Sequence, residues 1–231
     1  MRPLGEALAA RGHPVRAVRL AGHATDIADL AGTRWTDWFA SVEEGLALLG
    51  RDTPQVAAAG MSLGALLALH LAATRPAEVA ALILCGTPIR LPDARARWLP
   101  ALARIPWVAR RYATIPKRNG PDIADPAVRA ASRSYRAMPL TAVLELLRLQ
   151  AVVRGELARV TQPALLLHGR HDHSVSLANL DLLRRRLGSR HLETRVLERS
   201  WHVVVLDHDR DEVARLAARF LERVEGGELG R

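Results

Sequence analysis

The sequence predicts an α/β fold in which helices cover both faces of a mostly parallel sheet. Short apolar runs alternate with segments of helical periodicity along most of the chain, which is typical of successive βα units. The 231 residues suffice for one such domain with an insertion, and a composition of 49% hydrophobic and 25% charged residues indicates a globular chain.

The N-terminal part predicts a helix, a strand and a second, longer helix. The first helix spans Pro3–Arg11 and is ended by a Gly-His-Pro segment at 12–14. Val15–Leu20 is predicted to be a strand, and a Gly-His turn at 22–23 follows it. The longer helix spans Thr33–Leu49, with Thr33 as its cap and aromatic residues at helical spacing, which favours core packing.

The remaining core elements alternate regularly. Strands are predicted at Gln55–Ala59, 79–85, 163–168 and 192–197, and helices at Leu63–Ala73, Leu177–Leu187 and Asp211–Val224. In open α/β sheets the functional site forms outside the carboxyl ends of the strands. Residues that directly follow these strands are therefore the first candidates for a site.

Residues 89–158 break the βα rhythm. Seven prolines separate short helical patterns there, so this segment is predicted to be a helical cap inserted after a strand. The α/β core then consists of residues 1–88 and 159–226. The tail, residues 227–231, is expected to be disordered.

Cysteine usage and the absence of long apolar runs point to a cytoplasmic protein. Cys85 is the only cysteine, which excludes a disulfide within one chain and fits a reducing compartment. It is expected to be a small buried hydrophobe at the end of its strand. No apolar run has the length of a membrane-spanning helix, and the N-terminus lacks the apolar core of a signal peptide.

The net charge of +9 is concentrated in the predicted cap, where residues 89–158 hold 13 Arg or Lys against 5 Asp or Glu. One interpretation is an anionic partner, such as a lipid surface, a fatty-acid carboxylate or a phosphate-bearing thioester carrier. The other is a solvated helical face rich in arginine. A nucleic-acid module is not predicted, because few aromatic residues and no repeat accompany the basic ones.

The most informative motif is Gly60-Met61-Ser62-Leu63-Gly64, which matches G-x-S-x-G. It lies between a predicted strand and a predicted helix, where a tight turn strains the apex residue and exposes its side chain. The glycines allow the neighbouring backbone to pass without a Cβ clash. Ser62 is therefore the candidate nucleophile.

Two further strand ends supply an acid and a base. Asp172 follows the strand at 163–168, and His202 follows the strand at 192–197. In this arrangement His202 accepts the Ser62 proton, while Asp172 orients the imidazole and stabilises its charged form. The order Ser, Asp, His along the chain is that of the α/β-hydrolase arrangement.

Other polar residues near these strand ends receive structural interpretations. His168, His171 and His173 around Asp172 could suggest a metal site, but they lie on one short loop, and hydrolase chemistry already accounts for Asp172. No metal and no cofactor are predicted. Asp207 and Asp209 are expected to cap or precede the last helix.

From Met1 to about Val224 the chain resembles the α/β-hydrolase family, and within it bacterial carboxylesterases and monoacylglycerol lipases. The G-x-S-x-G motif, the segment His168–Asp172 and the segment Ser200–Asp207 carry the resemblance, the last matching an S-x-H-V-x-x-L-D ending. The resemblance implies a triad of Ser62, Asp172 and His202, with the Leu63 N–H as one oxyanion donor. It also implies a cap over an acyl pocket.

The sequence departs from the family pattern before residue 15. The family begins with strands and an H-G loop that provides the second oxyanion donor, and no H-G precedes Ser62 here. The strand before that loop normally lies between those that 15–20 and 55–60 resemble. The chain is therefore interpreted as N-terminally truncated, with an upstream start and Met1 an internal methionine.

The predicted function is a serine hydrolase of carboxylic esters that forms an acyl-enzyme on Ser62. Its partner is a small-molecule, lipid-like ester, and the sequence does not indicate an oligomeric state. A thioesterase or a lysophospholipase remains an alternative, since fold does not settle substrate. The alternative from another class is a non-catalytic α/β-hydrolase-like binding protein with an incomplete oxyanion hole.

Overall fold

Among the described residues the main sheet has four parallel strands, in which Val79–Cys85 and Ala164–Gly169 lie in the middle, with Val56–Met61 beside the first and Leu192–Leu197 beside the second. The computed structural model describes residues 1–50, 53–90, 98–105, 107, 113–116, 120–132, 134–135 and 137–229. The strands of the main sheet are β1 (Val56–Met61), β2 (Val79–Cys85), β5 (Ala164–Gly169) and β6 (Leu192–Leu197). A separate antiparallel pair consists of β3 (Thr114–Pro116) and β4 (Ala137–Pro139). The predicted parallel sheet is confirmed, and its carboxyl ends lie along one edge.

Among the described residues, four α-helices come before β2 in the chain and five come after it. They are α1 (Arg2–Ala9), α2 (Ile27–Ala31), α3 (Trp35–Leu49), α4 (Leu63–Thr74), α5 (Leu99–Leu102), α6 (Pro126–Ala131), α7 (Leu140–Glu156), α8 (Ala178–Arg186) and α9 (Arg210–Glu225). The predicted core helices differ from these by one or two residues at their ends, where assignments ordinarily vary.

Thr33 does not cap α3, contrary to the sequence prediction. The helix starts at Trp35, and the Asp37 carboxylate accepts the Arg34 N–H at 2.8 Å. The Thr33 hydroxyl instead accepts the Trp38 indole N–H at 2.8 Å and donates to the Leu30 carbonyl. Thr33 thus anchors a fully buried tryptophan, a partner that local sequence rules for helix caps do not consider.

Helices cover both faces of the sheet, as predicted. One buried cluster joins the sheet to α3, α4, α7 and α8, and a second cluster joins the opposite face to α1 and α9. Helix α4 is buried along nearly its whole length, because it packs against the sheet on one side and against α7 on the other. The site therefore stands on a firmly packed strand and helix.

Val15–Leu20 is not a strand, which corrects the sequence prediction. The segment is without strand or helix assignment and is mostly exposed. Its side chains contact neighbouring helices: a Cβ on Gly5 would lie 3.3 Å from Val15, and one on Gly45 would lie 2.4 Å from Val18. The physical reason is that a strand needs a hydrogen-bonded neighbour, and no described strand lies beside this segment.

The segment predicted to be a helical cap is more mixed than the sequence indicated. It contains the β3–β4 pair, whose strands are only three residues long and end at Pro116 and Pro139. Its last helix, α7, packs against α4 and contributes Leu149 and Val153 to the main core cluster. Several residues of the predicted cap, among them 91–97 and 108–112, lie outside the described residues.

Residues 227–229, part of the predicted tail, lie against the core. Leu229 is buried in the cluster formed with α1 and α9, and the Arg223 side chain donates to Glu228 at 3.0 Å. Residues 230–231 lie outside the described residues.

Cys85 is fully buried, as expected for a small hydrophobe in a strand. Burial raises the pKa of the Cys85 thiol to about 12. Within the part of the chain that the structure describes, none of the helices is both long and apolar enough to cross a bilayer.

Candidate active site

Ser62 occupies a strained turn between β1 and α4. Its φ of +53° is one of two positive values at non-glycine residues in the described chain. The Ser62 N–H donates to the Cys85 carbonyl at 2.9 Å, so the turn is tied to the end of β2. Strain of this kind persists where surrounding structure enforces it, and it clusters at functional sites. The predicted elbow geometry is therefore present.

The first glycine of the motif allows the strand and the helix to approach each other closely. A Cβ on Gly60 would lie 2.2 Å from the Gly64 carbonyl oxygen, a backbone atom that side-chain rotation cannot move. A Cβ on Gly64, in contrast, would meet nothing within 4 Å. Gly60 is therefore required by the close approach of β1 and α4, whereas the space around Gly64 would admit a larger side chain.

This difference predicts opposite outcomes for two matched substitutions. Gly60→Ala is expected to displace α4 and to destabilise the fold by about 2 kcal/mol or more, since overpacking against fixed backbone is costly. Gly64→Ala is expected to be neutral or to stabilise α4 by up to about 1 kcal/mol. Urea unfolding measures both changes. Equal stability of the two variants would contradict this account of the turn.

Asp172 lies three residues beyond the end of β5, and both of its carboxylate oxygens accept hydrogen bonds. Its Oδ1 accepts the backbone N–H groups of Ser174 at 2.8 Å and Val175 at 2.7 Å. Its Oδ2 accepts the His202 Nδ1–H at 2.7 Å, and the His168 Nε2 lies 3.2 Å from the same oxygen. The side chain is 1% exposed, so the carboxylate is both buried and fully hydrogen-bonded.

The electrostatics of Asp172 favour its charged form. Burial by itself would raise the pKa of this carboxyl, but the hydrogen bonds from His168 and His202 outweigh it. The pKa of Asp172 consequently lies well below its usual range. A carboxylate ionised at every ordinary pH holds the His202 proton on Nδ1, which leaves Nε2 as the basic nitrogen.

His202 lies over the end of β2 and opens into the same cavity as Ser62. A Cβ on Gly86 would lie 3.1 Å from both Nδ1 and Cε1 of the imidazole, so glycine makes room for the ring. Gly86 directly follows Cys85, whose carbonyl binds the Ser62 N–H. Both side chains line one cavity. The structure thus places Ser62 and the hydrogen-bonded Asp172–His202 pair on one cavity at the carboxyl edge of the sheet.

Leu63, the predicted oxyanion donor, is the first residue of α4. The first N–H groups of a helix have no intrahelical acceptor, and the helix dipole adds positive potential there. The Ser62 carbonyl already accepts the Ala65 and Leu66 N–H groups, which sets the orientation of this first turn. The Leu63 N–H is therefore available to a negatively charged oxygen beside Ser62.

Asp207 was missed as a site residue in the sequence. It is fully buried and does not cap the last helix. Its two carboxylate oxygens accept four backbone N–H groups at 2.8 to 2.9 Å, from Ala124, Asp125, Trp201 and His208. Asp207 thus joins the loop before His202 to the 120–126 segment. A contact between segments this far apart in the chain cannot be predicted from a local sequence pattern.

Asp122 is a second missed residue. Its carboxylate accepts the His173 N–H and the Ser174 hydroxyl, at 3.1 and 2.7 Å, and the His173 ring lies 2.9 Å away. Its carbonyl accepts the Val203 N–H at 3.1 Å. Asp122 therefore connects the Asp172 loop with the His202 loop.

The histidines considered for a metal site have separate partners. His168 is buried, and its Nε2 lies 2.9 Å from the Val175 carbonyl. His173 contacts Asp122 and the Trp201 ring instead. In the described part of the chain no cluster of three or more His, Cys, Asp or Glu side chains is arranged to hold a metal ion.

The cavity at Ser62 has a volume of about 1700 Å³. Parts of its wall come from the loop at 23–25, the 120–123 segment, β4 and α7. Mostly apolar side chains face it there, including Ile123, Met138, Ala142, Val143 and Leu146. Such a wall suits an acyl chain better than a charged peptide.

A parallel sheet carrying a strained serine after β1, together with an Asp–His pair after β5 and β6, defines an α/β-hydrolase. The chain belongs to the family described as serine aminopeptidase, S33, which matches residues 1–209. The resemblance to carboxylesterases and monoacylglycerol lipases is confirmed by the relatives of the chain.

Two curated relatives come from Bacillus. Thermostable monoacylglycerol lipase of Bacillus sp. (strain H-257) is 31% identical over 98% of this chain and 86% of the relative. Carboxylesterase of Bacillus subtilis (strain 168) is 24% identical over 97% of this chain and 87% of the relative. A solved structure described with the metagenome-derived lipolytic enzymes LipS and LipT has a TM-score of 0.88 and 29% identity, over 96% of this chain and 87% of that one.

Proposed function

We propose that the protein hydrolyses carboxylic esters through an acyl-enzyme on Ser62. The observation that carries the proposal is the 2.7 Å hydrogen bond between the buried Asp172 carboxylate and His202, in the cavity that Ser62 also lines. The strained position of Ser62 and the free end of α4 beside it support the same reaction.

The reaction follows from the placement of these groups. The Ser62 Oγ attacks the ester carbonyl carbon while His202 Nε2 takes its proton, and the Leu63 N–H binds the resulting oxyanion. The C–O bond breaks as His202 returns the proton to the leaving alcohol. Water then attacks the acyl-enzyme with His202 again as base, and the acid is released.

The substrate class rests on the cavity and on the relatives. Its apolar wall suits a lipid-like acyl chain, and the relatives are named as a monoacylglycerol lipase and a carboxylesterase. Rates of hydrolysis of butyryl esters against butyryl thioesters, and of monoacylglycerols against lysophospholipids, distinguish an esterase from a thioesterase or a lysophospholipase. The proposal expects esters and monoacylglycerols to react faster.

A fluorophosphonate reagent tests the proposal directly. Ser62 Oγ is expected to attack phosphorus and release fluoride, so that intact mass rises by a single phosphonyl group. Ser62→Ala is expected to remain unlabelled. The control is Ser176→Ala, which removes a serine outside the cavity and is expected to label like the parent chain.

Two results would count against the proposal. Labelling that persists in Ser62→Ala would place the nucleophile elsewhere. Absence of any adduct on folded protein, shown by circular dichroism, would favour a non-catalytic binding protein on this fold.

A further inference from the structure

Arg129 lines the cavity of Ser62 and has no carboxylate partner among the described residues. It lies in the last turn of α6 and is partly buried. None of the described residues forms an ion pair or a hydrogen bond with its guanidinium, which lies over the Trp201 ring with Cζ 5.4 Å from the ring centroid. A guanidinium that stacks on a ring keeps its N–H donors in its own plane, where they can bind an anion.

The support of this guanidinium is fixed by hydrogen bonds. Asp207 accepts the Trp201 N–H at 2.9 Å, and it also accepts the N–H of Asp125, the residue that caps α6, at 2.9 Å. The Trp201 ring contacts the His173 ring edge-on, with the ring centroids 4.6 Å apart. One buried carboxylate therefore holds both Trp201 and the helix that carries Arg129. A cation held in this way loses little conformational freedom when it binds a ligand.

The charges of the cavity favour an anion of single charge. Asp122 also lines the cavity, and its carboxylate already accepts the His173 N–H and the Ser174 hydroxyl. One guanidinium in a cavity that also holds a carboxylate can balance one negative charge, but not the nearly two charges of a phosphate monoester. A carboxylate also matches the planar fork of arginine in a bidentate arrangement. Because much of the cavity wall is apolar, the ligand class is a carboxylate on an apolar chain.

We propose that Arg129 binds the carboxylate of a fatty-acid anion, the product of the reaction proposed for Ser62. The inference rests on that reaction for the origin of the anion. Water that attacks the acyl-enzyme produces a carboxylic acid, which gives its proton to solvent and is ionised at neutral pH, as an exposed glutamate is. A neutral ester offers Arg129 no charge. Arg129 therefore binds the product better than the substrate, and the released acid inhibits the protein.

Isothermal titration calorimetry with octanoate and octanamide tests the site without turnover. The two probes share a chain length and a planar head group, and only octanoate carries a charge. Arg129→Gln is expected to weaken octanoate binding by about tenfold or more and octanamide binding by less than about threefold. The matched control is Arg219→Gln, because Arg219 is exposed on α9 and outside the cavity. It is expected to bind both probes as the parent chain does.

Three results of the calorimetry would overturn the proposal. Octanoate that binds equally to the parent chain and to Arg129→Gln would show that Arg129 does not bind the anion. Equal losses for octanoate and octanamide would show that Arg129 only packs against Trp201. Octyl phosphate is the third probe, and tighter Arg129-dependent binding of octyl phosphate than of octanoate would assign the site to a phosphate-bearing lipid.

Fluorophosphonate labelling in the presence of octanoate tests whether the bound anion occupies the reaction cavity. Octanoate is expected to slow labelling of Ser62, and Arg129→Gln is expected to need about tenfold more octanoate for the same effect. Arg129-dependent binding that leaves the labelling rate unchanged would overturn the assignment to the product. If Ser62 is not labelled in the parent chain at all, the proposed reaction fails, while calorimetry still decides whether Arg129 binds the anion.

Discussion

His202→Ala is expected to lower kcat/KM for p-nitrophenyl butyrate by about 10⁵–10⁶, since in the proposed mechanism the base and the nucleophile act as one unit. Ser62→Ala is expected to cause a loss of the same order, and the double variant to lose no more than either alone. Asp172→Asn is expected to cost about 10⁴, because it removes the charge that keeps the His202 proton on Nδ1.

The matched control for His202 is His208→Ala. His208 is exposed, and its hydrogen bonds with Asp207 and Arg199 use its backbone N–H and carbonyl, so activity is expected to stay within about twofold of the parent. Steady-state kinetics with stability measured in parallel separates lost chemistry from lost folding. Independent, multiplying losses in the double variant would contradict a shared role for Ser62 and His202.

Asp207→Ala is expected to cause the largest loss of stability among the substitutions considered. It would remove a fully buried carboxylate and leave the four backbone N–H groups that it accepts without their acceptor. The free energy of unfolding is expected to fall by about 3–5 kcal/mol, and Tm by roughly 10 °C. Asp207→Asn is expected to fail similarly, because its amide NH₂ would face two N–H donors.

Asp211→Ala provides the comparison for Asp207. Asp211 is an exposed aspartate in the first turn of α9, near the positive end of the helix dipole. Its replacement is expected to cost less than about 1 kcal/mol. If Asp207→Ala cost as little as Asp211→Ala, the four hydrogen bonds would not be what holds the His202 loop to the 120–126 segment.

The strands and helices of the core were predictable because they depend on local patterns. The apolar runs that became β1, β2, β5 and β6 and the periodic segments that became α4 and α9 were placed within two residues. The turn at Ser62 was predictable for the same reason. Its glycines and its position between a strand and a helix are features of neighbouring residues.

Val15–Leu20 shows that a local sequence pattern is not sufficient to predict a strand. The composition of the segment suits a strand, but strand formation depends on a hydrogen-bonded neighbour that composition does not specify. The cap segment shows the same limit. The sequence placed residues 140–156 in the cap without a defined helix, whereas the structure has one helix there that packs against α4.

The sequence by itself determined which residue types follow the strand ends, and hence the candidates Ser62, Asp172 and His202, because each is set by its own strand and turn. Only the tertiary structure decided the 2.7 Å contact between Asp172 and His202 and the anchoring by Asp207. These features join residues that are distant along the chain, such as Asp207 and Ala124, and only the folded chain brings them within hydrogen-bond distance.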